Sequence, residues 1–385
     1  MVTTVAKTMH FLEPYAHHFR ERGWRVEGAA DGLSTSPRAA AFDAVHDVPF
    51  SRSIKDAGRQ LAAARAIGRV LDGGYDIVHV HTPIASLITR LVAGRIPAEG
   101  RPAVVYTAHG FHFYEGGHPL ANALFLTAER VGGRFTDRLV VINQEDYEAA
   151  RRYRLVPKRR LRYMPGIGVD TGWYARSQVS DEAARAALGA VGIEPERPYF
   201  VSVGELSRRK RPTDGVQALA QMRVREADLL FLGDGPERAT VEALAEELGV
   251  ADRVVISPTW VNDVRPYLRS AVALVQTSRQ EGLPRSIMEA LALEIPVITT
   301  AARGCAELVG DDRGEVVPVG ATKRLAAAMD RVVRQPSERA KMGARGRRLM
   351  VERFDERLLI AEHERLYGEL LAQDLEQPGG GRPGE

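Results

Sequence analysis

The chain has 385 residues, 44% of them hydrophobic and 27% charged, which is a globular composition too long for one ordinary core and predicts two domains. A formal net charge of +3 and thin interleaving of aromatic with basic residues argue against a nucleic-acid partner. The single cysteine, Cys305, excludes an internal disulfide and a cysteine-based metal cluster, and reads as a small packing residue.

The start, "MVTTVAKTMHFLEPY", lacks the basic, apolar and cleavage regions of a signal peptide. No apolar run approaches the roughly 20 residues that span a bilayer. The expectation is a cytoplasmic protein. Further along, "YDIVHVHT", "AVVYTAHG" and "RLVVINQ" are β-branched and each is followed by a turn or helix signal, as in buried parallel strands. "PLANALFLTAERVGGRF" predicts a helix between two of them. Repeated βα units imply a doubly wound sheet.

Charge is unevenly placed. Residues 1–170 carry 23 Lys+Arg and 17 Asp+Glu, whereas 171–385 carry 30 and 33. "RRYRLVPKRRLR", Arg151 to Arg162, holds seven of those 23 cations and no acid. It is either a solvated face or the contact for an anionic partner such as a phospholipid surface or a lipid-linked diphosphate. After it, "MPGIGVDTGWYARSQ" has the glycines and proline of a linker.

A second α/β series follows. "PYFVSVGEL", "DLLFLGDGP", "DRVVISP", "VALVQTS", "IPVITT" and "GEVVPVG" predict strands, with "TDGVQALAQM" and "ATVEALAEELGV" as helices. The fold class is therefore α/β, with two Rossmann-like sheets. The boundaries are 1–170, 171–355, a helix over about 356–375 that crosses back to the first domain, and a flexible tail 376–385, "QPGGGRPGE" being its low-complexity end. Ligands of open parallel sheets bind outside the carboxyl ends of the strands, so two such sheets are expected to face one another across a cleft.

Candidate site residues sit at those strand ends. In "SRQEGLPRSIMEALALEIPVITT", Glu281 lies on a loop after a strand and Glu289 near the start of a helix that begins about Ser286. Free N–H groups at a helix start bind phosphate oxygens, and Gly282 lets the backbone approach. Glu289 then accepts hydrogen bonds from ribose hydroxyls and Glu281 from sugar hydroxyls. The alternative is a capping box, Ser286-x-x-Glu289, which needs no ligand. "VSVGELSRRKRPTDG" places Arg208, Arg209, Lys210 and Arg211 after the first strand of the second domain. Lys210 and Arg208 are the candidates for a diphosphate, against an exposed basic loop as the bland alternative. His109 in "YTAHGFHFYEGGH" and His81 in "HVHTP" are either structural hydrogen-bonding residues or sugar contacts. His109, His112 and His118 lack zinc-ligand spacing. The chain has no Asp-x-Asp, P-loop or G-x-G-x-x-G after its first strand, so no metal or cofactor is expected and cations must meet diphosphate charge.

Together, "FLEPYAHHFRERGWRV", "YDIVHVHTPIAS", "YTAHGFHFY", "MPGIGVD" and "EGLPRSIMEALALEIPVITT" resemble glycosyltransferase family 4, retaining enzymes of GT-B fold, over nearly the whole chain. "GEL" and "ARGCAEL" resemble its capsule and exopolysaccharide branch. The Glu281-x7-Glu289 pattern is the most specific signature. The resemblance implies that Glu281 approaches the donor sugar, that Glu289 meets the ribose, and that the backbone of Gly282 and Leu283 meets the diphosphate. Lys210 matches the family's lysine and His109 its strand-end histidine. Gly204-Glu205 departs from the family's Gly-Arg, a role for which Arg208 is the substitute. The implied activity is metal-independent, retaining transfer of a hexosyl or N-acetylhexosaminyl group. The donor is a nucleotide diphosphate sugar, UDP-linked, and the acceptor a saccharide on polyprenyl diphosphate, reached at the inner face of the cell membrane. Front-face and double-displacement mechanisms both remain open. A sugar-nucleotide 2-epimerase of similar architecture and a non-catalytic sugar-nucleotide-binding module are the rivals.

Overall fold

The computed structural model describes residues 1–375 other than 54, 115 and 259, with side chains to residue 372. The expected tail, 376–385, lies outside the described residues. The chain divides into two compact units, Met1–Ile167 with the segment from Leu358 onward, and Gly168–Arg357.

Unit one is a parallel sheet of β1 (Val2–Val5), β2 (Glu27–Asp31), β3 (Ala44–Asp47), β4 (Ile77–Val80), β5 (Ala103–Ala108), β6 (Arg138–Val141) and β7 (Leu161–Tyr163). The order is β3-β2-β1-β4-β5-β6-β7, which reverses direction at β1 as a doubly wound sheet does. β5 is buried along its whole length, because helices cover both faces of a parallel sheet and each residue must be apolar or paired. The Pro119–Gly133 helix has proline at its start, where a missing N–H costs nothing. From the carboxyl end of the chain, the Glu356–Leu375 helix supplies Ile360, Leu366, Tyr367 and Leu370 to the same core as Phe19, Val105 and Val140.

Unit two is a second parallel sheet of β8 (Tyr199–Val203), β9 (Asp228–Leu232), β10 (Val254–Ile256), β11 (Ala273–Gln276), β12 (Val297–Thr300) and β13 (Gly314–Val317), ordered β10-β9-β8-β11-β12-β13. Its direction reverses between β8 and β11, so the loops after these two neighbours share one edge. The Arg285–Ala292 helix follows β11 and is buried from Ser286 to Ala292. Ile287, Met288 and Leu291 each stabilise the unit by roughly 1.5–3 kcal/mol relative to exposure, which fixes the helix and the loop before it. Cys305 is packed in this core and burial pushes its thiol up to about 12. No helix of the described residues is long and apolar enough to cross a membrane.

Candidate active site

At the carboxyl edge of the second sheet, the loop after β8 and the loop after β11 meet. Thr277 Oγ1 donates to the carbonyls of Lys210 (2.9 Å) and Arg211 (2.8 Å), pinning the basic loop to the end of β11. Lys210 Nζ then lies 3.5 Å from Glu281 Oε1, and Arg209 Nη1 lies 2.8 Å from Glu281 Oε2. Gln276 Nε2 (3.1 Å) and Ser278 Oγ (2.7 Å) also donate to Oε1. Gly204 makes the approach possible. Its φ of +131° suits glycine, and a Cβ there would sit 2.6 Å from Lys210 Nζ. A second close approach is at Gly304, where a Cβ would fall 1.8 Å from the Gly282 carbonyl oxygen.

Burial opposes ionisation of Glu281, but Lys210, Arg209 and the Ser278 hydroxyl outweigh it, and its pKa falls below the ordinary glutamate value. The group is an anion held against two cations. Such a pair leaves Lys210, 19% exposed, and Arg209, 44% exposed, with donor capacity for a further anion.

Glu289 lies deeper. Tyr174 Oη donates to its Oε1 (2.9 Å), and Arg285 Nε donates to the same oxygen (3.0 Å). Among the described residues Oε2 has no partner. Burial raises the Glu289 pKa, with Arg285 and Tyr174 partly offsetting it. The capping-box reading does not hold. The helix starts at Arg285, its cap is Pro284 with no side-chain bond, and Ser286 is a buried residue inside the first turn. A capping serine must stand outside the helix with extended backbone, and the helix starts too early for that.

Arg208 is not in this group. Its side chain is 93% exposed and pairs with Glu237 at 3.3 Å. Arg209 takes the place beside Lys210, and its backbone carbonyl accepts from Arg279 N at 2.9 Å. The sequence reading chose Arg208 and Lys210 from four consecutive cations, and the turn geometry puts Arg209 in the place expected of Arg208. Glu205 is exposed. Tyr174, Arg209 and Arg285 carry no motif signal of their own.

In unit one, His109 follows β5 and His81 follows the neighbouring β4. His81 Nδ1 lies 3.2 Å from His109 Nε2. His79 and His81 share one face of the strand, as residues two apart do, with rings 4.0 Å apart. His79 contacts Thr107 Oγ1 at 2.7 Å and the Tyr367 hydroxyl. Burial, reinforced by neighbouring imidazoles, holds the pKa of His79 and His81 well below the ordinary value. His109 is exposed by surface area, yet the surrounding protein mass and then His363 lower its pKa to about 4. His112 packs at 5.2 Å against Phe125, and His118 is the residue before the Pro119 helix; neither joins His109. Among the described residues no group of three or more His, Cys, Asp or Glu could hold a metal ion.

Two further cavities lie at the amino-terminal ends of the unit-one strands. One, about 90 Å³, is lined by Met1, Val26, Tyr75 and Ile77, away from His109. The other, about 800 Å³, is lined by Arg130, Arg134, Arg151, Arg154, Lys158 and Arg160 and by no carboxylate. Arg130 comes from the Pro119–Gly133 helix and Arg134 is the residue that caps its end; both extend the basic stretch of the sequence. Within that stretch, Arg160 donates to the Thr136 carbonyl and Arg162 pairs with Glu369, so those two serve the fold.

Residues 186–349 match the model of the glycosyl transferases group 1, and residues 12–172 that of glycosyltransferase family 4. The chain is 31% identical to EpsD of Bacillus subtilis (strain 168), assigned as a glycosyltransferase, over 95% of each. It is 25% identical to the UDP-Gal:alpha-D-GlcNAc-diphosphoundecaprenol alpha-1,3-galactosyltransferase of Escherichia coli, over 60% of this chain and 59% of that one. Among solved structures, sucrose-phosphate synthase from Thermosynechococcus elongatus superimposes with a TM-score of 0.81 at 21% identity, covering 94% and 93% of the two chains. Anabaena HepE in complex with UDP-glucose superimposes with a TM-score of 0.78 at 18% identity, covering 97% and 98%.

Proposed function

Since the chain belongs to glycosyltransferase family 4 and is a glycosyltransferase of GT-B type in glycan biosynthesis, we propose that it is a retaining, metal-independent enzyme. It moves a hexosyl or N-acetylhexosaminyl group from a UDP-linked sugar to a saccharide carried on polyprenyl diphosphate. The observation that carries this reading is the Lys210–Glu281–Arg209 cluster at the strand ends of unit two. Breaking the glycosidic bond puts negative charge on the departing diphosphate. Basic side chains already fixed in place stabilise that charge without reorganising. Lys210 meets the leaving group and the backbone of Gly282 and Leu283 meets its oxygens. Glu281 accepts from hydroxyls of the donor sugar, and Glu289 from the ribose through Oε2. His109 contributes a hydrogen bond to the donor sugar. The names of the Escherichia coli galactosyltransferase and of the HepE complex support the donor and acceptor classes.

Peripheral contact with an anionic membrane is part of the proposal. Its support is the acid-free basic concavity and the adjoining Pro119 helix, which exposes Leu120 and Leu124. Charge attraction with a few exposed apolar side chains is the chemistry of an interfacial face.

The test is a panel of nucleotide sugars screened by thermal shift, followed by turnover with a polyprenyl-diphosphate saccharide in excess EDTA. UDP-sugars should stabilise the protein and turnover should persist. A stabilising response to GDP- or ADP-sugars alone would overturn the UDP assignment, and activity lost in EDTA and restored by Mn²⁺ would overturn metal independence.

A further inference from the structure

His81 is buried, and its Nε2 has no hydrogen-bond partner, whereas its Nδ1 faces His109 Nε2 at 3.2 Å. One proton must lie between those two nitrogens, and two arrangements are available. If His109 Nε2 carries it, neutral His81 must bear its own proton on Nε2, leaving a buried N–H with nothing to accept it. If His81 Nδ1 carries it, the orphan is a bare nitrogen lone pair. For backbone groups an orphaned buried N–H is rarer than an under-satisfied acceptor, and the same ordering applied to the ring favours the second arrangement. Charging both nitrogens of His81 is opposed by its burial beside His79 and His363.

We propose that His81 is a positioning residue: its Nδ1–H donates to His109 Nε2 and thereby fixes His109 as the Nδ1–H tautomer. The outward nitrogen of His109 is then a hydrogen-bond donor and not a base. A hydrogen bond at one ring nitrogen dictates the protonation of the other. The frame behind His81 is rigid. Its backbone N–H donates to the Val2 carbonyl at 3.1 Å, and His79 is held from both sides by Thr107 and Tyr367. His363, whose Nδ1 donates to the Leu359 carbonyl at 2.8 Å, stacks on His79 with ring centroids 5.6 Å apart. The ligand group this suits is an oxygen acceptor, a hydroxyl or ring oxygen of a sugar. That assignment rests on the donor-sugar role of His109 proposed above.

The tautomer is read directly from long-range ¹H–¹⁵N spectra of the full chain labelled at histidine, with His109 assigned by loss of its signals in His109→Ala. The expected wild-type pattern is a protonated Nδ1 and a bare Nε2. In His81→Phe, His109 should lose that fixed state, and in His81→Asn, whose amide N–H can replace Nδ1–H, it should keep it. The binding arm compares UDP with UDP-glucose, UDP-galactose and UDP-N-acetylglucosamine by calorimetry. His81→Phe should weaken the preferred UDP-sugar about tenfold, the equivalent of one ordinary hydrogen bond, while sparing UDP. The losses in His81→Phe and His109→Ala should not add, because they remove one interaction. A wild-type His109 protonated on Nε2, an unchanged tautomer in His81→Phe, or additive losses would each overturn the proposal. A His109 protonated on Nδ1 together with a silent His109→Ala would overturn only the donor-sugar role, leaving the His81 assignment standing.

Discussion

The carboxyl edges of the two sheets hold buried titratable groups under the same desolvation and settle them in opposite ways. In unit two, Glu281 stays charged, its pKa lowered because Lys210 and Arg209 stand against it. In unit one, burial lowers the pKa values of His79, His81 and His363 until they are neutral, and neighbouring imidazoles and the chain's amino group lower those of His79 and His81 further. Desolvation alone removes charge; a fixed counter-charge restores it. On the function proposed above, the charged edge of unit two meets the diphosphate and the neutral edge of unit one meets sugar hydroxyls. Each substitution below tests one side of that contrast.

The largest effect belongs to the charged side. Lys210→Ala should lower turnover at saturating donor by ~100-fold or more, with a smaller change in KM, because its contribution grows as charge builds on the leaving group. Lys210→Arg should recover part of the loss, since it keeps charge and changes shape. A folded Lys210→Ala protein with wild-type turnover would make the cluster a structural ion pair. Next is Glu289→Gln. With the capping role excluded by the helix start, its carboxylate accepts from Tyr174 and Arg285, and the proposed function adds the donor ribose. Donor affinity should fall by roughly 1–3 kcal/mol, measured by calorimetry. An unchanged dissociation constant would confine Glu289 to holding Tyr174.

The neutral side is tested by pH. The folded-state pKa of His363 is about 4, against about 6.5 for an unfolded chain. Above about pH 6.5 neither state binds the proton. Below it the unfolded state binds first, so stability is lost as pH falls from about 6.5 toward 4. At pH 5 the loss from this one group is about 2 kcal/mol, and thermal melting of wild type should drop accordingly. His363→Gln should melt with a shallower pH dependence even if its level at pH 7 is lower. Equal slopes would mean that His363 binds its proton equally well in the folded and unfolded chain.

The two edges were also unequally legible from sequence. Strands such as β9 and β12 announce themselves, because a strand buried on both faces is a short apolar run, and the α/β repeat follows from them. β1, β2, β3 and β7 do not: "VTTV", "EGAAD", "AVHD" and "LRY" are short and mixed, and only pairing in the sheet selects them. Glu281, Glu289 and Lys210 were readable as residues because their spacing forms a pattern. Their partners were not. Tyr174 reaches Glu289 across 115 positions and Tyr367 reaches His79 across 288, and contacts of that separation leave no trace in local periodicity.

The smallest expected effect is the sharpest test of how the loop after β8 is built. In "SRRKR" the sequence reading takes Lys210 and Arg208 for the diphosphate, although nothing local separates Arg208 from Arg209. The turn sends successive side chains in different directions: Arg208 into solvent toward Glu237, and Arg209 onto Glu281. An exposed ion pair contributes about 0–1 kcal/mol, and an arginine pointing away from Glu281 adds nothing to the field at the leaving group beyond screened, long-range charge. Arg208→Ala should therefore leave donor affinity and turnover within about twofold of wild type. Arg209→Ala removes a cation 2.8 Å from Glu281 and should weaken donor binding several-fold in the same assay. Measuring both at two ionic strengths separates contact from field, since only a long-range contribution fades with salt. If Arg208→Ala matched Arg209→Ala at both, Arg208 would have to leave Glu237 when donor binds, and it would then stand in for the arginine that Glu205 replaces.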